Sequence, residues 1–284
     1  MGRVVVVTDT SADLAANVVE EFGIHMIPLK LLFGKQVFHD RVDITPSEFY
    51  QRLKASDLLP TTSQPSAGDF VQAYQSALSR GESIVSIHIS GALSGTIDSA
   101  YQARAQMAAG LPIHIIDSRS TSMGLGFMVL EAARMAARGE PAEPIVERVM
   151  ALIPRMNVLF AVDTLEFLYR GGRIGGAERL LGSMLSIKPL LHLNEGRIDA
   201  LEKTRTRPRA LARLLQLMEE RLAGAKAVHV AVAHAAAEKE ALSLRDQVGA
   251  RFSCLELYVC ELSPVLGAHT GPGVVGAGFY GEEA

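Results

Sequence analysis

The sequence predicts an α/β protein in two parts: an open, mainly parallel sheet covered by helices, then a mixed sheet with helices on one face. Two patterns carry that prediction. Apolar β-runs near residues 4, 83 and 112 each end in a small polar turn and then a helix, the βαβα order of a parallel sheet. Beyond about residue 156 the order changes, and neighbouring extended runs joined through Asn194-Glu195-Gly196 read as a hairpin, which requires antiparallel strands.

Taken in order, Val4 to Val7 is an all-valine run suited to a strand covered on both faces. Thr8-Asp9-Thr10-Ser11-Ala12-Asp13-Leu14 turns it into a helix capped by Thr10 or Ser11. His25 to Phe33 is a second extended run, broken by Pro28, and Gly34-Lys35 predicts a hairpin into Gln36 to His39. Thr45-Pro46-Ser47-Glu48 opens a helix with a threonine cap, proline at the first position and a carboxylate at the third. Pro60-Thr61-Thr62-Ser63-Gln64-Pro65-Ser66 reads as a hydroxyl-rich loop before a helix from about Ala67 to Ser79. Its hydroxyls can cap that helix or face a ligand, and locally the cap is the simpler role. Leu111 to Asp117 is a further strand, followed by the polar turn Asp117 to Gly124.

Pro141 to Pro154 reads as a terminal helix and the junction between domains 1–155 and 156–284. Val158 to Val162 is a strand, and Leu165 to Leu191 reads as helical, with Gly171-Gly172-Arg173-Ile174-Gly175-Gly176 separating two helices. That glycine run lacks a preceding strand and a following Lys-Ser/Thr, so it fits neither a dinucleotide nor a P-loop fingerprint. Arg207 to Leu222 is an amphipathic helix, and strands Ala227 to Ala233 and Phe252 to Cys260 flank a helix around Glu238 to Val248. His269, among the glycines and prolines of Ser263 to Gly273, is expected on a turn where backbone can approach a ligand.

Composition narrows the function. Of 284 residues, 48% are hydrophobic and 21% charged, the balance of a folded, soluble protein. Lys and Arg number 28 against 31 Asp and Glu, so the basic excess of a nucleic-acid surface is missing. No apolar run reaches the ~18 residues of a membrane span, and the four valines after Arg3 are too short for a signal-peptide core. The cytoplasm is the expected location. Cys254 and Cys260 fall in one extended run, roughly 20 Å apart, and read as buried thiols beyond disulfide reach. The eight histidines show no metal-ligand spacing, so no metal is expected.

The most informative stretch is Ser83 to Ala108, a strand, a small-residue turn and a helix. Ser94 in Gly91-Ala92-Leu93-Ser94-Gly95-Thr96 is a plausible N-cap. Free N–H groups and the positive end of a helix dipole at such a turn converge on one point and favour an anion. The blander role is that Ser94 only caps. Three strands ending in such turns strengthen the ligand role, because open parallel sheets bind ligands beyond their carboxyl ends. A nucleophile elbow would need G-x-S-x-G, and Ser94 stands one place too late.

TDTSADL, PTTSQPS, SGALSGTIDSA, DSRSTSMGLG, GGRIGG, KTRTR and PVLGAHTGPG occur in that order from Thr8 to Gly273. The set resembles the DegV family, which includes the fatty-acid-binding subunit of bacterial fatty acid kinase. TDTSADL departs from the usual TDSTSDL but keeps both aspartates. The resemblance implies a three-layer α/β/α domain, a two-layer α/β domain, and a long-chain fatty acid buried near their junction. It places the carboxylate on Thr62 and Ser94, with His269 joining that network and Ser63, Gly95, Thr96 and Thr270 in supporting loops. Arg205 would stand near the carboxyl end, where an acyl phosphate forms. The chain would not itself be an enzyme and would need no cofactor. It would present its ligand to an ATP-dependent fatty acid kinase subunit and pass the acyl phosphate to an acyltransferase, with transient contact at a membrane surface. Two other readings stand beside this one. His269 could bond a small keto-substrate covalently, as in the substrate-binding part of dihydroxyacetone kinases, or Ser94 could serve a hydrolase.

Overall fold

The computed structural model describes residues 3–56, 58–183 and 187–282. The chain opens with β1 (Val4–Asp9), α1 (Ala16–Glu21), β2 (His25–Ile27), β3 (Lys30–Phe33), β4 (Gln36–His39), α2 (Pro46–Ala55) and β5 (Thr61–Ser63). Next come α3 (Ala67–Leu78), β6 (Ser83–His88), α4 (Thr96–Gln106), β7 (Ile113–Asp117), α5 (Ser122–Ala137) and α6 (Ala142–Leu152). Then follow β8 (Asn157–Ala161), α7 (Glu166–Arg170), β9 (Lys188–Asn194), β10 (Arg197–Thr204) and α8 (Arg207–Arg221). The last elements are β11 (Ala227–His234), α9 (Glu238–Arg251), β12 (Cys254–Glu261), α10 (Pro264–Thr270) and β13 (Val275–Glu282).

Both predicted sheets are present. The first is all parallel, in the order β2-β1-β6-β7. Phe70 and Tyr74 of α3 and Ala100 of α4 pack on one face with Val5, Val7 and Ile84, while α5 and α6 cover Val6, Val85 and Ile87 on the other. The second sheet runs β10-β9-β8-β13-β11-β12 and is mixed, since β11 and β12 pair in parallel and the rest antiparallel. Its outer face lies under Leu214 and Met218 of α8 and Leu244 and Val248 of α9. The inner face meets α5, whose first half is buried all round, with Leu125, Phe127, Met128 and Val129 all enclosed. A helix buried on every side must lie between two layers, and α5 is the layer that the two sheets share. Among the described residues no helix is long and apolar enough to cross a membrane.

Several local expectations change. The run His25 to Phe33 divides at Pro28, so that β2 joins the parallel sheet and β3 a small antiparallel sheet, β4-β3-β5. Thr61–Ser63, expected as loop, is therefore a strand. The cap after β1 is Asp9, which accepts from the Ser11 N–H over a short 3-10 turn, and α1 begins only at Ala16 without a side-chain cap. Thr45 caps α2 as predicted, in a reciprocal capping box with Glu48. The helical reading of Leu165 to Leu191 fails at its end: α7 and a 3-10 segment, Gly175–Ser183, are helical, but Lys188 onward is β9. Residues 184–186 of that run lie outside the described residues. Cys254 and Cys260 are free but only half-buried, because β12 is an edge strand.

Candidate functional site

The small sheet carries Thr62 on β5, held opposite Leu31 of β3 by antiparallel pairing. The hydroxyl that caps α3 is Ser66, boxed with Asp69, which leaves Thr62 free of capping duty. His269 lies in the last turn of α10, not on the expected turn. Pro264 starts that helix and Gly271, at φ 73, ends it; a Cβ at Gly271 would also collide with the Phe167 ring. The two meet directly: Thr62 Oγ1 lies 2.6 Å from His269 Nε2. Nδ1 is buried without a partner. Burial, and then the nearby Arg173 guanidinium, push the His269 imidazole down to about 4, so it is neutral at physiological pH. Orphaned buried N–H groups are rarer than orphaned acceptors, which assigns the proton to Nε2 and leaves Nδ1 a bare lone pair. Nε2–H then donates to Thr62, whose own proton is free for a ligand.

Ser94 lies one residue before the N-cap of α4, which is Gly95. Its hydroxyl accepts from the Thr96 N–H at 3.3 Å and shares a 2.8 Å bond with the buried Thr96 hydroxyl. Gly95 has no room for a side chain, since a Cβ there would meet the Gln64 amide. That close approach brings the PTTSQPS and SGALSGT segments together. Thr62, Ser63, Ser94, His269 and Thr270 all line one cavity between the two sheets, whose free space, counted with its open mouth, is about 1030 Å³. Gly95 and Thr96 stand behind its wall. Thr270 donates to the Leu266 carbonyl within α10. The cavity is otherwise mostly apolar, with Leu29, Val158, Phe160, Leu193, Ile198 and Val265 among its walls.

Arg205 is exposed on the bend between β10 and α8, has no partner among the described residues, and does not line the cavity. It does leave the mixed sheet at the strand end where α10 leads into β13: Thr204 pairs with Lys188, and β9 and β8 separate β10 from β13. Three strand spacings make that roughly 14 Å. The residue that the sequence reading missed is Arg173, from the glycine run taken as a spacer. Its Nε donates to the Leu93 carbonyl at 3.1 Å and Nη1 to the Gly171 carbonyl at 2.7 Å, at the cavity's mouth, with no carboxylate partner among the described residues. The start of α5 was missed too. Thr121 to Gly124 line the cavity, and α5 has no side-chain cap. Both segments are motifs of the resemblance whose charge and small residues were the available signal.

Residues 3–282 match the family model for DegV, described as an uncharacterised protein family. The chain belongs to the DegV family. A DegV domain-containing protein of Halalkalibacterium halodurans is 35% identical over 284 residues, all of both chains. Among solved structures, a DegV family protein from Thermus thermophilus, described as fatty acid binding, superposes with a TM-score of 0.94 at 35% identity, covering 99% of this chain and 100% of its own. DegV of Bacillus subtilis, described as a fatty acid binding protein, gives 0.91 at 31% identity with the same coverage.

Within this DegV chain the two catalytic readings lose their footing. Ser94 has a threonine, not a base, beside it. A Ser-His-Asp arrangement does exist, with Ser86 Oγ 2.6 Å from His88 Nε2 and His88 Nδ1 2.9 Å from Asp9. All three side chains are fully buried, Tyr74 bonds Ser86 from behind, and none lines the cavity. That chain ties β1 to β6 and α3. For His269 as a nucleophile, Nε2 is engaged by Thr62, and Nδ1 lies against Gly171, where even a Cβ would not fit.

Proposed function

We propose that this protein binds one long-chain fatty acid in the cavity and presents its carboxylate to a separate ATP-dependent kinase subunit. The observation that carries the reading is an apolar cavity with two neutral hydroxyls, Thr62 and Ser94, and an arginine at its mouth. Hydrogen bonds from hydroxyls satisfy a carboxylate without burying a counter-charge, and Arg173 offers a guanidinium at the exposed mouth. The apolar walls supply the affinity: at about 0.8 kcal/mol per buried CH₂, some fourteen methylenes offer on the order of 11 kcal/mol before ordering costs. The fatty-acid descriptions of the Thermus and Bacillus relatives support the ligand class. Denaturing extraction of purified protein should release about one fatty acid per chain. Re-adding a bound acid at a hundred times its dissociation constant should stabilise the delipidated protein by about 2.7 kcal/mol. No thermal shift with any fatty acid would sink the reading.

The presenting role extends it to an acyl phosphate formed by the kinase and passed to an acyltransferase, in the cytoplasm, with transient contact at a membrane surface. It rests on the family resemblance and on two guanidinium groups, Arg173 at the mouth and Arg205 after β10, at the strand end where β13 begins. An exposed arginine with no partner adds little to the fold, so Arg205→Ala should leave stability within about 0.5 kcal/mol. Fatty-acid affinity should also hold, while acyl-phosphate formation with kinase and ATP should drop steeply, because the guanidinium meets charge that only the transferring phosphoryl group brings. Unimpaired phosphorylation would leave Arg205 an ordinary surface charge.

A further inference from the structure

Behind the cavity wall lies a second polar cluster that ligand binding does not explain. Asp13 and Asp40 are both buried, at 2% and 0% exposure. Asp13 follows the 3-10 turn after β1 in the left-handed region, at φ 53, and its carboxylate makes three bonds. Oδ1 accepts from Arg41 Nη2 at 3.0 Å and from the Ser263 N–H at 2.9 Å, and Oδ2 accepts from the Ser122 hydroxyl at 2.7 Å. Ser122 begins α5 and Ser263 is the N-cap of α10. One carboxylate therefore holds the starts of two of the helices that wall the cavity. Asp40 lies in the same cluster with both oxygens buried and neither in a well-formed hydrogen bond, although the Thr10 hydroxyl and Val265 N–H face it.

Arg41, at φ 58, is the cation these carboxylates share. Its Nη2 also donates to the Glu261 carbonyl at 2.9 Å, and its Nε is buried without a partner. From the other elements, Tyr50 of α2 and Cys260 and Glu261 of β12 face the cluster, none of them cationic.

We propose that Asp13 and Asp40, sharing the guanidinium of Arg41, are positioning residues for the cavity, and that the proton on Asp40 sets how firmly α10 is seated. This rests on the acyl reading of the cavity only for its effect on the ligand. Two buried carboxylates and one guanidinium leave a negative charge uncompensated, which a proton on Asp40 removes. Burial pushes Asp40 from 3.8 up to about 7, and burial raises Asp13 as well against the pull of Arg41. The folded protein thus keeps a proton that the unfolded chain has already released above about 4. Stability from this group is greatest on the acid side of that window and falls as pH rises through about 7. His269 acts in the opposite sense, losing stability as pH falls from 6.5 toward about 4, so Asp40 must be isolated by comparison with its variant.

The experiment compares wild-type protein with Asp40→Asn between pH 6 and 8. It reads hydrogen exchange of the α10 amides, corrected for intrinsic chemistry, and affinity for palmitic acid. Relative to the variant, which keeps only the opposing His269 trend, wild-type α10 should lose protection by roughly threefold to tenfold over that range. Palmitate affinity should fall with pH in the wild type relative to the variant; ionisation of the acid itself affects both equally and cancels. A variant that keeps the wild-type slope overturns the proposal, as does a wild-type profile that stays flat between pH 7 and 8, where His269 is deprotonated in both the folded and the unfolded chain and no variant is needed. Persistence of the exchange difference in proteins that bind no palmitate would uphold the clamp and fail the acyl reading instead.

Discussion

Thr62→Ala and Ser94→Ala should each weaken binding of a long-chain acid roughly tenfold to hundredfold, the loss expected for a hydrogen bond to a charged group at about 1.5–3 kcal/mol. The direction follows from the proton assignment. Because His269 is neutral and its Nε2–H points at Thr62, the threonine hydroxyl is turned to donate outward. Removing it takes away a carboxylate partner and orphans the buried Nε2–H as well. Ser94 keeps its proton available when Thr96 supplies the donor in their shared bond. A fatty alcohol of the same length carries the same tail and no charge, so both variants should cost it far less. Titration calorimetry with acid and alcohol separates the two contributions. Equal losses for both ligands would mean that these hydroxyls shape the pocket instead of holding the anion.

The sequence made this site partly legible because its parts are local. Ser94 falls at a strand-to-helix turn whose small residues are visible in the chain, and the parallel strands that place it announce themselves as β-branched runs. Thr62 and His269 could be brought together only through the family motifs, since their meeting depends on pairings that no short window contains. Thr61–Ser63 is too short for periodicity and becomes a strand only by pairing with β3. Seven residues among glycine and proline do not predict α10; its start is held from outside, by the Asp13 carboxylate on the Ser263 N–H. Arg173 was invisible for the same reason. Its acceptors are carbonyls of Leu93 and Gly171, and the first is brought there by tertiary folding. The over-long helix reading to Leu191 shows the limit of composition: a leucine-rich run serves a helix or a covered strand equally well, and here β9 pairs on both sides.

Gly278→Val should both destabilise the protein and close part of the cavity, whereas a helix glycine with open space should respond in the opposite direction. Gly278 lies on β13 where α5 crosses the sheet. A Cβ there would stand 2.9 Å from the Gly124 nitrogen and 3.2 Å from the Met123 carbonyl carbon, both backbone atoms that no rotamer change can move. Gly124 is equally confined, by Ser120 and Val158. The penalty is space, not backbone strain, since Gly278 does not occupy the left-handed region. Overpacking costs about 1–3 kcal/mol, so the melting temperature should drop by roughly 2–10 °C for a chain of this size. Met123, Gly124, Gly276 and Gly278 all line the cavity, so displacement of α5 should weaken acid and alcohol alike, unlike the loss at Thr62. Gly278→Ala should lie between wild type and valine on both measures. At Gly68 in α3 the nearest atom to a new Cβ is Ser66 Oγ at 3.7 Å, and Gly68→Ala should raise stability by about 0.5 kcal/mol through helix propensity alone. Unchanged melting and unchanged ligand affinity in Gly278→Val would show that α5 can shift at no cost. The glycine crossing would then not be what sets the cavity's width.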